Sequence, residues 1–313
     1  MMRNVVSART LRAILPALSL AIIMIAIFLL NERAMSYNGL RLLLKLSVPI
    51  VLATIAQMLI LCVNELDLSI GSFVGLTACI TATWLHDVPL LGAAALLACV
   101  LAYAGIGALI HLRNLPSIVV TLGMSFVWLG LAVLLLPAPG GKSPAWISVV
   151  MNAKPPLVPM PILMAIMIAI AVHIFLMRSS YGAVLRGAGG NAKAVARAGW
   201  SLLRIKVTMF ALAGFFGVLS GVTLVGLTTA ADANIATRYT LLSIAGAILG
   251  GSEFVGGRVS PIGAVIGALT LTLTTPFLTF LRLNPDFQIG AQGAILILIL
   301  ALRVVINRTE AHA

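Results

Sequence analysis

Acidic side chains are nearly absent from this chain: eight Asp and Glu stand among 313 residues, and only 9% of positions carry any charge. A soluble globular domain is roughly 25% charged. With 61% hydrophobic residues and a mean hydropathy of +1.14, the sequence excludes a water-soluble fold and describes an integral membrane protein. Cysteine is equally scarce. Cys62, Cys79 and Cys99 all fall in apolar stretches, the placing of helix-packing residues rather than of disulfides or metal ligands. Four histidines are present; His173 lies inside an apolar run and His86 and His111 at the ends of runs, with no ligand spacing between them. No Ser-His-Asp order with supporting turns appears, so a membrane enzyme has no catalytic constellation to work with. The basic excess, a net charge of +12, would suit nucleic acid. The Lys and Arg residues cluster between apolar runs, however, as membrane-flanking charge does, and that reading is rejected.

What the chain has in abundance is apolar runs. A helix needs about 20 apolar residues to cross a bilayer. Ten candidates meet or approach this: 12–30, 42–63, 69–85, 90–110, 117–136, 160–177, 207–228, 239–251, 260–281 and 287–306. The first follows a basic head and is long for a signal-peptide core, with no small-x-small cleavage site close behind, so it reads as a retained span. The eighth, YTLLSIAGAILGG, is short and implies a tilted, broken or partial crossing. With the N-terminus inside, thirteen Lys and Arg fall on inner segments and six on outer ones, Lys45 snorkelling at an outer end. That bias places both termini in the cytoplasm and makes the span number even. The expected fold is an all-α polytopic bundle forming one domain over 1–313. GSFVG (Gly71 to Gly75) and GAVIG (Gly263 to Gly267) each open a span after an inner turn holding an acid, Glu65 or Glu253. The correspondence suggests two related half-bundles, with small residues for close helix approach.

Three motifs mislead. PAPGGKS ends like a phosphate-binding loop, but Leu136 stands where that loop needs its first glycine, and no strand precedes it. GAGGNA (Gly187 to Ala192) follows a membrane span rather than a strand, which removes the dinucleotide reading. Asn307 in NRT matches a glycosylation acceptor on the wrong side of the membrane.

The acids that do occur carry more information. NELDLSIGS puts Glu65 and Asp67 at the inner turn between the second and third spans. A carboxylate at the bilayer centre costs about 2.5–3.5 kcal/mol on insertion scales, so both belong at the interface or in a polar cavity. Asp67 or Ser69 also suits the cap of the following helix. Gln57, Asn64, Thr121, Ser125 and Gln292 either line a polar pathway or bond across helices. Gln57, Asn64, Glu65, Asp67, Thr121 and Gln292 are the candidates for the pathway or its gate.

The longest polar segment is central. Arg178 to Lys206 holds six basic residues and no acid. Within it, NAKAVARAGWS reads as a short helix with Asn191 as N-cap and Gly199 as C-terminal stop. Gly189 and Gly190 are expected to set the turn before it. Ala192, Val195, Ala196 and Gly199 follow helical spacing and make a small apolar face. So short a helix is marginal alone. A partner with an apolar groove rimmed by acids would order it. Anionic lipid would attract the charge, but gives no reason for cap, glycine and apolar face together.

The residues YGAVLRGAGGNAKAVARAGWSLLRIKV resemble the cytoplasmic loop of permease subunits in ribose-type ABC importers, within the branched-chain amino acid and ribose permease superfamily. ELDLSIGS, LPSIVVTLGMS and ILGGSEFVGGRVSPIGAVIGALTL resemble other blocks of that family in the same order, so the similarity runs from about Ala17 to Arg303. The resemblance implies a non-catalytic subunit of the bacterial inner membrane, without cofactor. It implies three partners: a cytoplasmic ATPase, a periplasmic solute-binding protein and a second permease. It also makes the central loop, with Arg186, Gly189, Gly190, Asn191, Ala192, Val195, Ala196 and Gly199, the ATPase-coupling element. The family often carries an acidic pair before the eighth span's apolar core; RYTLLSIAG has none. The implied cargo is a monosaccharide or sugar-like solute, with autoinducer-2 or an amino acid as alternatives in the same superfamily. An ion-coupled carrier is the rival class. It would need intramembrane ionisable groups, for which Glu65, Asp67 and His173 are the candidates.

Overall fold

Backbone in hydrocarbon has no water to bond, so apolar segments close their hydrogen bonds internally as helices. The computed structural model follows this rule throughout. It describes residues 8–284 apart from 255, together with 287, 290, 293 and 294. The helices are α1 (Ala8–Leu30), α2 (Tyr37–Leu43), α3 (Ser47–Cys62), α4 (Ile70–Ala82), α5 (Trp84–Asp87), α6 (Pro89–Arg113), α7 (Ser117–Leu135), α8 (Ala145–Asn152), α9 (Met160–His173), α10 (Ser180–Gly190), α11 (Ala192–Arg197), α12 (Leu202–Thr228), α13 (Tyr239–Leu249) and α14 (Pro261–Phe280). A π-helical turn, Ile174–Arg178, extends α9. Among the described residues, β pairing is confined to one antiparallel bridge, Gly140 with Ala231.

Among the described residues, five helices are long and apolar enough to cross a membrane, six when α2 and α3, bent 47° apart, count as one span. Two expected crossings fall short of the length that a full span needs. α4 has 13 residues and α13 has 11, about 20 and 17 Å of helix at 1.5 Å per residue. The expected tenth span, 287–306, lies outside the described residues.

Glycine decides how these helices meet. α12 turns Gly214 to the Tyr103 ring of α6, Gly217 to the Phe73 ring of α4, and Gly221 to Thr77 and Ala78 of α4. α14 packs on α13 glycine to glycine: Gly267 lies on the carbonyl of Gly246, and Gly263 on that of Gly250. The other G-x-x-x-G face, on α4, meets no helix of that kind. Gly75 lies under the Ala233 carbonyl and Gly71 under the carbonyls of Ala236 and Thr237. Segment 232–238 therefore re-enters the bundle along α4, and α13 starts from within it. Thr240 Oγ1 accepts from the Gly71 N–H at 3.0 Å. The eighth candidate, 239–251, is thus a short unbroken helix entered from an irregular segment.

The connections sort to two poles. At one, Gly140 pairs with Ala231, the Lys142 N–H donates to the Ala82 carbonyl at 2.8 Å, and the Ser143 N–H to that of Thr229 at 3.0 Å. Tyr37 donates to the Pro155 carbonyl there. At the other meet the turns after α3 and α13 and the α10–α11 segment.

Candidate functional site

The site is built where α3 ends. Asn64, at φ 62°, turns the chain out of α3, and residues 65–69 are irregular before α4 begins. Such a turn leaves backbone N–H groups unpaired inside an apolar protein, a cost of several kcal/mol each if left so. Four consecutive N–H groups are instead met by side chains. Leu66 donates to Ser117 Oγ at 3.1 Å and Leu68 to Thr121 Oγ1 at 3.0 Å, both on α7. Asp67 donates to the Gln57 amide of α3 at 3.3 Å, and that amide returns a bond to the Asp67 carbonyl at 3.0 Å. Ser69 donates to Asp67 Oδ1 at 2.6 Å.

The Asp67 carboxylate is 1% exposed. Oδ1 also accepts from the Ser69 hydroxyl at 2.7 Å, and Oδ2 accepts from Tyr103 of α6. Burial raises the Asp67 carboxyl above the usual carboxylate range, and the bonds from Tyr103 and Ser69 draw it partly back. Gln57, Asp67 and Thr121 therefore spend their polar atoms on the turn itself. Ser125 donates to the Leu122 carbonyl of its own helix, and Gln292 lies outside the described residues. Glu65 points the other way, pairing with Lys206 of α12 at 2.5 Å, both partly exposed.

A second turn, between α13 and α14, meets the first. The Gly257 N–H donates to the Cys62 carbonyl at 2.9 Å. Gly189 of α10 is wedged where they touch: a Cβ there would overlap the Cys62 carbonyl oxygen and stand 2.5 Å from Gly257 N. This corrects one expectation. Gly189 and Gly190 end α10 as helical residues and do not make the turn; Gly189 is there for close approach. Arg186 is likewise committed inside the chain, donating from Nε to the Leu176 carbonyl at 3.1 Å, an acceptor freed by the π-helical turn.

On this junction stands α11. Asn191 caps it, its side chain accepting from the Ala194 N–H at 3.0 Å, and Gly199 ends it at φ +87°. Ala192, Lys193, Ala196, Arg197 and Gly199 are exposed. Val195 is not part of a free face: it is half-buried, lies over Gly187 and packs against the main core. It holds α11 to the bundle. Ala192 lines a cavity of about 240 Å³ with Asn64, Glu65, His111, Gly189 and Lys206. Tyr103, Ser117 and Lys206 were not among the site candidates read from sequence, and Ser69 was read only as a helix cap. Only Tyr103 carried a signal, a phenol hydroxyl in the middle of an apolar run.

Among the described residues no group of three His, Cys, Asp or Glu could hold a metal ion. Bundle, apolar crossings and outlying capped helix together describe a polytopic all-α membrane protein. Residues 39–300 match the family described as the permease component of the branched-chain amino acid transport system, and the chain belongs to that family. It is 29% identical over 262 residues to the galactose/methyl galactoside import permease protein MglC of Haemophilus influenzae, covering 75% of this chain and 77% of that one. It is 27% identical over 307 residues to the probable ABC transporter permease protein YphD of Escherichia coli, covering 93% and 89%. Identity to the ribose import permease protein RbsC of Escherichia coli is 25% over 256 residues, with 78% of each covered. No solved structure matches the chain.

Proposed function

We propose that this chain is the permease subunit of an ABC importer that brings a monosaccharide or sugar-like solute into the cytoplasm, driven by a separate ATPase. The observation that carries this reading is α11. A six-residue helix, capped at Asn191 and stopped at Gly199, stands outside the apolar body on the contact between two turns. A segment of that length does not persist alone, and its exposed alanines with flanking Lys193 and Arg197 suit a groove rimmed by acids. Motion imposed on α11 would reach both turns through Gly189. The cargo class follows the relatives' names, galactose and ribose import permeases.

In this reading the chain is one non-catalytic domain in the bacterial inner membrane, with both termini cytoplasmic. It works beside a second permease and receives solute from a periplasmic binding protein. Glu65 and Asp67 act at the inner end of the pathway by fixing the turn that shapes it. The ATPase hydrolyses, and alternating access follows from differential nucleotide binding to its open and closed states.

Ala196→Glu tests the reading. It places a carboxylate in the docking groove, where an unpaired buried charge costs several kcal/mol, and it lies outside the spans. The variant should reach the membrane at wild-type level yet fail to capture the ATPase, or capture it without ribose or galactose uptake. Normal capture with normal uptake would remove the docking role of α11. Proton-driven uptake by the chain alone would replace the importer with a carrier.

A further inference from the structure

Residues 66–69 are held far more thoroughly than a link between two helices requires. Capping α4 needs one or two side chains; here Gln57, Asp67, Ser69, Ser117, Thr121 and Tyr103 converge, from α3, α6, α7 and the turn itself. Most of these bond backbone N–H groups, which any buried turn needs. The Tyr103 hydroxyl does not. It bonds a side chain, Asp67 Oδ2, and stands 3.0 Å from Ser69 Oγ. Leaving it out would orphan no backbone group.

Packing fixes where that hydroxyl points. Tyr103 is 0% exposed. Its ring centroid lies 4.3 Å from that of Phe73, 6.2 Å from Trp128 and 6.5 Å from Phe210, and Gly214 of α12 lets the ring lie against that helix. A ring held on four sides cannot follow a moving partner, so the turn must come to it. The opposite side of the same turn carries Glu65 with Lys206, and Cys62 with Gly257 and Gly189. The turn thus has a buried anchor on α6 and a surface contact with the segment bearing α11.

We infer that Tyr103 is a positioning residue for transport: through Asp67 and Ser69 it latches the α3–α4 turn to α6, so that displacement at α11 moves α6 with the turn. The functional half of this rests on the importer reading above; the positional half does not. Phe at 103 would keep the ring packing and lose the latch, letting the turn drift from α12.

The Glu65–Lys206 pair reports that drift directly. A carbodiimide joins a carboxylate and an amine in contact as an amide with loss of one water, and the cross-linked peptide is read by mass. In purified full-length chain, Tyr103→Phe should lower the cross-link yield about fivefold or more, the population shift that one hydrogen bond to a carboxylate supports. Ser69→Ala, which removes the hydroxyl lying between the two partners, should do the same and serves if Tyr103→Phe fails to accumulate. Asp67→Asn should keep most of the yield, since Asn can accept from Ser69 and donate to the phenol oxygen. Wild-type yield in whichever of Tyr103→Phe and Ser69→Ala accumulates overturns the latch. In the reconstituted importer, solute imported per ATP hydrolysed should fall in the same variants. An unchanged ratio beside a lowered cross-link yield would overturn the link to transport. Neither result bears on the docking of α11, which Ala196→Glu decides.

Discussion

The two turns that precede α4 and α14 look alike in sequence and are made by opposite means. Each follows an apolar run, holds acid (Glu65 and Asp67 in one, Glu253 in the other) and leads into a G-x-x-x-G helix. The first, 63–69, is tied down by side chains from α3, α6, α7 and α12. The second, 251–260, is tied by backbone: Glu253 N–H donates to the Arg258 carbonyl at 3.0 Å, Gly257 N–H to that of Cys62, and Gly251 and Gly257 supply positive φ. One is buried and therefore must bring its own hydrogen-bond partners. The other lies closer to water, where glycines suffice to bend the chain and Glu253 pairs with a well-exposed Arg258. The difference teaches which turn is the fixed one and which can adapt when the two press on Gly189.

Breaking the contact itself should have the largest effect. Gly189→Val puts a branched side chain into the Cys62 carbonyl and the Gly256–Gly257 backbone. Overpacking of this kind costs about 1–3 kcal/mol or more, and here the strain falls on both turns. Uptake should be lost, and the melting midpoint in detergent should drop; near-normal uptake would show that the turns need not touch. A smaller effect should come from the first turn alone. Thr121→Val keeps shape but strips the acceptor from Leu68 N–H, leaving a buried donor unmet at about 1–3 kcal/mol. The detergent melting midpoint checks it, and an unchanged value would mean that another acceptor reaches the turn. The smallest effect belongs to the second turn. Arg258→Ala removes an ion pair whose arginine is 69% exposed, and such pairs contribute about 0–1 kcal/mol. Its midpoint should shift little. If Arg258→Ala cost as much as Thr121→Val, the contrast between the turns would fail.

Much of this was legible beforehand, for identifiable reasons. Apolar runs announce helices because lipid leaves the backbone no other way to bond. Asn191 and Gly199 announce the ends of α11 because cap and left-handed stop are local chemistry. Ser69, Asp67 and Glu65 could be placed at a turn, but the cap of α4 could not: Asp67 bonds the Ser69 N–H ahead of the helix, and Thr240 of α13 takes the Gly71 N–H. What could not be read were relations across long separations. Nothing local to Gly189 says that it meets Cys62 and Gly257. Nothing near Tyr103 says that its hydroxyl serves residue 67, and helical spacing alone puts Val195 on the free face when the bundle takes it. Likewise G-x-x-x-G promises a close approach but not its object, which was a helix for α14 and the carbonyls of the irregular segment 232–238 for α4.

The sequence by itself determined that this is a many-spanning helical membrane protein, where most helices lie, and that a basic, capped segment stands apart from them. Those are matters of solvent and of neighbours within a few residues. The tertiary structure decided which polar groups meet: that Gln57, Thr121 and Asp67 serve a turn, that Glu65 serves Lys206, and that two distant turns close on one glycine. A hydrogen bond needs its partners within about 3 Å of each other, and that proximity is set by helix packing, which no local stretch of chain encodes.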